Sequence, residues 1–216
     1  MNILILTAME KERQMFADVQ NDPAFKGHVF AVQPCGIGKV NASVSTVNYI
    51  HSFSPDAVIS TGVAGGCGEK TEIMDVIAAK EVVYHDVWCG QPNKLGQIQG
   101  MPEAFYAPKE WISRIENFKM QGVKIGTTVS GDWFVDTKQK MEEIKHCFPQ
   151  ADAVDMESAA IAHVCHMYKT PFISLRVISD LPLKGNNTQQ YKDFWADVQQ
   201  TSFNTAIQVM KCILQQ

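Results

Sequence analysis

The sequence predicts a single three-layer αβα domain over residues 1–216, built on a mostly parallel, mixed central sheet. Three observations lead there. Short apolar, β-branched runs alternate with helix-length amphipathic segments from end to end, the pattern of a sheet covered by helices on both faces. Hydrophobic residues make up 45% of the 216, which allows a sizeable core and excludes intrinsic disorder. No repeat, low-complexity tract or interdomain linker divides the chain, and its length suits one α/β domain.

Asn2–Thr7 is a continuous apolar run, as expected of a strand buried on both faces, and Glu10–Gln20 reads as a helix. His28–Gln33 is a second strand, stopped by Pro34 and the turn-rich Cys35-Gly36-Ile37-Gly38. From Lys39 to Ser52, Val40, Val44 and Val47 recur at helical spacing. Ala57–Thr61 is a buried strand running into Gly62-Val63-Ala64-Gly65-Gly66, which taken alone is a tight turn without the spacing of a P-loop or a dinucleotide loop. Val76–Tyr84 is a longer strand, and Val87–Pro108 is an aperiodic loop of the length that is usually functional or mobile. Then come a helix at Glu110–Phe118, a strand at Val123–Val129, a helix at Thr137–His146 and a short strand at Ala153–Val154. Ile161, Val164, Cys165 and Tyr168 stripe the next helix, Phe172–Val177 is a strand, and Phe203, Ile207, Met210 and Leu214 stripe a final helix.

Composition narrows the function. Nineteen Lys+Arg against 23 Asp+Glu give a net charge of −4, without the basic surplus of a nucleic-acid binder. No run reaches the ~20 apolar residues of a membrane span. The opening Ile3-Leu4-Ile5-Leu6 is cut short by Glu10-Lys11-Glu12-Arg13, so it does not read as a signal peptide. Six scattered cysteines without a C-x-x-C read as reduced thiols, and a cytoplasmic protein is expected. His163 and His166 share a helical face, but Cys165 points elsewhere and no second ligand cluster follows. No metal and no cofactor are expected.

Ligands of such sheets bind beyond the carboxyl ends of the strands. The candidates there are Met9 and Glu12, the glycine cluster, Ser130-Gly131-Asp132-Trp133-Phe134, Asp155-Met156-Glu157, and Arg176 with Ser179-Asp180. Each has an ordinary reading as solvated surface, turn, N-cap or core. Joint placement around one cleft favours a site.

Ala8-Met9-Glu10-x-Glu12, Gly36-Ile37-Gly38-Lys39-Val40, Thr61-Gly62-x-Ala64-Gly65-Gly66, Ser130-Gly131-Asp132-x-Phe134, Met156-Glu157-Ser158 and Arg176-x-x-Ser179-Asp180 occur in this order. Together they resemble the purine nucleoside phosphorylase superfamily, most closely its hydrolytic branch, the 5′-methylthioadenosine/S-adenosylhomocysteine nucleosidases. The segment from Ala159 to His166 is also similar to bacterial members of that branch. The resemblance implies hydrolysis of the N-glycosidic bond of 5′-thio-substituted adenosines to adenine and the thioribose. It makes Asp180 the acid that protonates the purine, held by Ser179, with Glu12 as the base for water and Arg176 orienting that carboxylate and the water. Glu157 binds the ribose hydroxyls with Met156 packed on the sugar. Phe134 stacks on adenine, and backbone groups at Phe134 and Val135 read the base edge. Val63, Ala64 and Gly65 are assigned to substrate binding, with Val63 at the ribose face. Met9, Ile37 and Tyr191 line the 5′ side, where apolar groups suit an alkylthio tail. The resemblance further implies a homodimer whose neighbouring subunit closes the 5′ pocket; the loop around Met101-Pro102 is this chain's candidate for that contact.

Charge separates hydrolysis from phosphorolysis. A phosphorylase holds a phosphate dianion with arginines or lysines, whereas the first strand here ends in Glu10 and Glu12. Two like charges ~4 Å apart repel by about 4 kcal/mol at an effective dielectric of 20, so Glu12 favours water. Lys11 and Arg13 are expected to face solvent. The chain departs from the family pattern at Val63 (commonly serine), Asp155 (commonly glutamate), Trp133 (commonly smaller) and Met74-Asp75 (commonly Gly-Asp), and in a short segment before Cys35. The alternatives are a phosphorolytic enzyme, a nucleosidase for another 5′-modified purine riboside, and a phospho-receiver-like binding domain. The last needs an aspartate where this chain has Ser60-Thr61-Gly62.

Overall fold

The structure is a computed structural model and describes residues 1–197 and 200–215. Its strands are β1 (Asn2–Thr7), β2 (Val29–Pro34), β3 (Ala57–Gly66), β4 (Val76–Tyr84), β5 (Phe105–Tyr106), β6 (Val123–Ser130), β7 (Ala151–Asp155) and β8 (Phe172–Asp180). Its helices are α1 (Glu10–Met15), α2 (Lys39–Phe53), α3 (Lys109–Phe118), α4 (Lys138–Cys147), α5 (Ser158–Tyr168), α6 (Asn187–Asp197) and α7 (Gln200–Leu214).

β1 shows why the apolar runs become central strands. Ile3 and Ile5 point into one core with Phe16, Trp111, Phe203 and Met210, on the side of α3 and α7. Leu4 and Leu6 point into the opposite core with Ala42, Ile161 and Cys165, on the side of α2 and α5. Both faces are therefore apolar, and each buried aliphatic side chain contributes about 1.5–3 kcal/mol of transfer free energy. The expected three layers follow.

Among the described residues the sheet has eight strands. β1 pairs in parallel with β2 and β3, and β8 runs parallel to β3 and antiparallel to β4. β4, β6 and β7 are mutually parallel neighbours in that order. β7 then returns to β3 through the antiparallel pairs Gly65–Val154 and Gly66–Ala153. β3, β8, β4, β6 and β7 thus close on themselves beside the open edge formed by β1 and β2.

Four expectations change in detail. The glycine cluster is the continuation of β3, not a turn. A Cβ on Gly66 would sit 2.7–2.8 Å from Thr71, Ile178 and Leu181, so its missing side chain lets neighbouring segments close on the strand. The first helix ends at Met15, and short 3₁₀ turns at Val19–Asn21 and Pro23–Phe25 follow. Phe16 there turns into the core, edge-on to Phe203 at 5.6 Å. The long loop contains β5, which pairs with β4. Helix α6 was not expected, because its polar first turn (Asn187–Gln190) precedes the short apolar stripe of Tyr191, Phe194 and Trp195.

Candidate active site

Glu12 is placed by the turn that starts α1. Met9 is extended at φ −124°, ψ 152°, and its amide donates to Glu12 Oε2 at 2.8 Å. The Val63 amide donates to Oε1 at 2.9 Å. The carboxylate is therefore turned inward and is only 1% exposed. Gly62 makes this possible: with φ +136° it has a backbone that disfavours a side chain, and a Cβ there would lie 2.5 Å from Glu12 Oε1. Burial raises the Glu12 pKa, while the Val63 amide, the Arg176 charge and the Met9 amide oppose that rise.

Arg176 lies on β8 and is 1% exposed. Its Nε donates to Asp155 Oδ2 at 2.6 Å, and its Nη2 donates to Ser60 Oγ at 2.8 Å and Ser158 Oγ at 3.0 Å. The Ser158 hydroxyl also donates to Asp155. Glu12 accepts hydrogen bonds from the Met9 and Val63 backbone amides, and Arg176 acts on it through charge. A buried guanidinium needs a carboxylate partner, and Asp155 is the nearest one.

Glu157 precedes α5 and accepts from the Gly38 amide at 2.9 Å. Burial and the neighbouring Asp155 charge push its pKa up to about 7, against the pull of Arg176 and the Gly38 amide. The residue beside Gly38 is also fastened. The Lys39 amide donates to Asp132 Oδ1 at 2.7 Å, and Lys39 Nζ pairs with Asp86 at 2.8 Å. The Asp132 amide donates to the same Asp86. These bonds join the start of α2 to the loop that carries Trp133 and Phe134.

Asp180 closes β8. Ser179 Oγ donates to its Oδ1 at 2.7 Å, and Asn187 Nδ2 donates to its Oδ2 at 3.2 Å. Asn187 Nδ2 also donates to the Val135 carbonyl at 2.8 Å, so that carbonyl is already engaged. Burial raises the Asp180 pKa, and the Ser179 and Asn187 donors oppose it.

These groups surround one open cleft. Met9, Glu12, Ile37, Val63, Ala64, Gly65, Phe134, Val135, Met156, Glu157, Ser179, Asp180 and Tyr191 all line it. Arg176 lies behind the wall. Ala8, Trp133 and Asp155, which lie in the candidate strand-end segments but had no role assigned, also line the cleft, as does Val154, which sequence reasoning did not place there. That reasoning also missed the anchoring role of Asn187, although Tyr191, Phe194 and Trp195 carry the i, i+3, i+4 signal of α6 that would have revealed it. Phe134 and Tyr191 meet edge-on at 5.7 Å at the mouth. Arg13 pairs with Glu10 at 2.6 Å on the surface, as expected. Lys11 departs from expectation: its Nζ lies 3.8 Å over the Trp195 ring and 3.4 Å from Tyr191 Oη. A cation on an aromatic face keeps much of its stabilisation out of bulk water. Among the described residues, no cluster of three or more His, Cys, Asp or Glu could hold a metal ion.

The fold and this cleft together define an α/β protein with a candidate small-ligand site where strand ends converge. A family model described as the phosphorylase superfamily matches residues 2–213. The 5′-methylthioadenosine/S-adenosylhomocysteine nucleosidase of Lysinibacillus sphaericus is 35% identical over 206 residues, covering 87% of this chain and 89% of the relative. The crystal structure of the Neisseria meningitidis nucleosidase of that name, in complex with methylthio-immucillin-A, is 30% identical with a TM-score of 0.84, over 99% of this chain and 98% of that one. The Colwellia psychrerythraea nucleosidase, in complex with adenine, is 27% identical with a TM-score of 0.86, over 99% and 94%. The chain belongs to the phosphorylase superfamily and, within it, to the 5′-methylthioadenosine/S-adenosylhomocysteine nucleosidases.

Proposed function

We propose that this protein hydrolyses the N-glycosidic bond of 5′-methylthioadenosine and S-adenosylhomocysteine, releasing adenine and the thioribose. The observation that carries this reading is the meeting of Glu12, Glu157 and Asp180, all buried, on the walls of one cleft. Breaking the bond makes adenine a leaving group and places positive charge on the ribose. Asp180, with its pKa raised by burial, holds a proton to give to the purine, and Ser179 and Asn187 fix its orientation. Glu157, with Met156 beside it, takes the ribose hydroxyls, and anionic groups fixed beforehand favour the cationic transition state. Glu12, gripped by two amides, accepts a proton from the attacking water. Arg176 supports that charge from behind while Asp155 offsets its own, so among the described residues the floor of the cleft presents no free cation to a phosphate dianion. Phe134 stacks on the base, and Met9, Ile37 and Tyr191 line the 5′ tail.

In this reading the active unit is a homodimer. Val40 on α2 is 73% exposed and Trp88 in the long loop 57%, apolar surface of the kind a partner covers. The segment around Pro102 lines a groove with Tyr106 and His166, apart from its own cleft, which suits a contribution to a neighbour's 5′ pocket. The six cysteines are free thiols, in keeping with a reducing cytoplasm and a role in methionine salvage. The test is adenine release from 5′-methylthioadenosine in phosphate-free buffer, followed by chromatography. Release that requires added phosphate overturns the hydrolytic assignment.

A further inference from the structure

The cation at the mouth of the cleft has no part in the chemistry above. Lys11 stands one residue before the buried base, yet its side chain leaves the helix in another direction. Its ammonium rests 3.8 Å from the centroid of Trp195 and 5.1 Å from that of Tyr191. Its distance to Tyr191 Oη is 3.4 Å, and that hydroxyl in turn lies 3.8 Å from Met9 Sδ. Met9 and Tyr191 both line the cleft, so the positive charge sits just outside the apolar wall assigned to the 5′ tail. Among the described residues Lys11 makes no ion pair with a carboxylate, whereas its neighbour Arg13 is paired with Glu10. The aromatic pair fixes the ammonium without neutralising it.

We propose that Lys11, seated on Tyr191 and Trp195, is a specificity-determining residue that recognises a carboxylate at the far end of the 5′ substituent. The inference rests on the nucleosidase reading and deepens it. Of its two substrates, the methylthio tail ends in an apolar methyl, while the homocysteine tail carries a carboxylate on a short flexible chain beyond the sulfur. Met9, Ile37 and Tyr191 serve the sulfur and carbon atoms common to both tails. Lys11 distinguishes the two by charge. Burial already lowers the Lys11 pKa, so part of the ammonium's desolvation has occurred before a ligand arrives, and a carboxylate gains more from it than from a fully hydrated lysine. Tyr191 carries the arrangement, because its hydroxyl touches both the ammonium and Met9.

The experiment compares three substrates with wild type, Lys11→Met and Lys11→Arg: S-adenosylhomocysteine, 5′-methylthioadenosine and 5′-butylthioadenosine, whose tail is long but uncharged. In Lys11→Met the ratio of kcat/KM for S-adenosylhomocysteine to that for 5′-butylthioadenosine falls about fivefold, the size of a partly exposed ion pair, through KM rather than kcat. Lys11→Arg restores the ratio, and raising the salt concentration in the wild type lowers it. An unchanged ratio in Lys11→Met, or an equal loss for all three substrates, overturns the carboxylate assignment and leaves the nucleosidase reading standing. A wild-type protein that releases adenine from none of the three overturns both.

Discussion

Asn187 Nδ2 lies 3.2 Å from Asp180 Oδ2, reaching from the first turn of α6 to the last residue of β8. With Ser179 on the other oxygen, Asp180 has a donor on each side while burial raises its pKa. The donors hold the carboxyl in place and limit how far burial lifts it.

Removing the acid tests this directly. Asp180→Asn keeps the shape and is expected to lower kcat for purine nucleosides by about 10²–10⁴, with the melting temperature little changed. A rate within tenfold of wild type refutes the assignment. Asn187→Ala leaves the acid but removes the donor that opposes burial. The Asp180 pKa therefore rises, and the alkaline limb of the pH–kcat profile is expected to move to higher pH. An unmoved limb would reduce Asn187 to a structural role.

Gly62→Ala inserts a methyl 2.5 Å from Glu12 Oε1. The carboxylate must shift, and a displacement of about 1 Å costs on the order of 10²-fold in rate. Strain at φ +136° adds a stability loss of about 1–3 kcal/mol. Kinetics on the folded fraction, measured beside calorimetry, separate the two effects. Normal turnover in that fraction would show that Glu12 does not need its present position.

Arg176→Met leaves Asp155 buried without its guanidinium. The loss is about 3–5 kcal/mol, or about 10 °C in melting temperature for a domain of this size. Replacing Asp155 by asparagine in the same chain is expected to recover part of it. Melting of the single variant at the wild-type temperature counts against the pair as a structural tie.

The ligand-free protein is expected to be more stable at pH 5 than at pH 7.5. Glu157 is raised from the ordinary glutamate range to about 7 in the fold, and Glu12 and Asp180 are raised as well. Between the unfolded and folded pKa values the native state binds more protons, so stability is full below that window and is lost as pH rises through it. Glu157 alone contributes on the order of 2–3 kcal/mol. Glu157→Gln flattens the slope, and a wild-type melting temperature that rises across the window contradicts the shift.

The order and type of most elements follow from the sequence by a local rule. An apolar run such as Ile3–Leu6 must cover both faces of a strand, and Phe203, Ile207, Met210 and Leu214 need one face of a helix. The resemblance of six ordered motifs likewise gathered the cleft lining, because those residues lie at strand ends. Tertiary structure decided the rest. It closed β7 onto β3 through Gly65 and Gly66, brought Asn187 to Asp180 and turned Lys11 onto Trp195. It also fastened Glu12 by amides and Arg176 by Asp155. Each of these depends on atoms from distant segments meeting within a few ångströms, and periodicity along the chain records only which face a residue needs, not which neighbour it finds there.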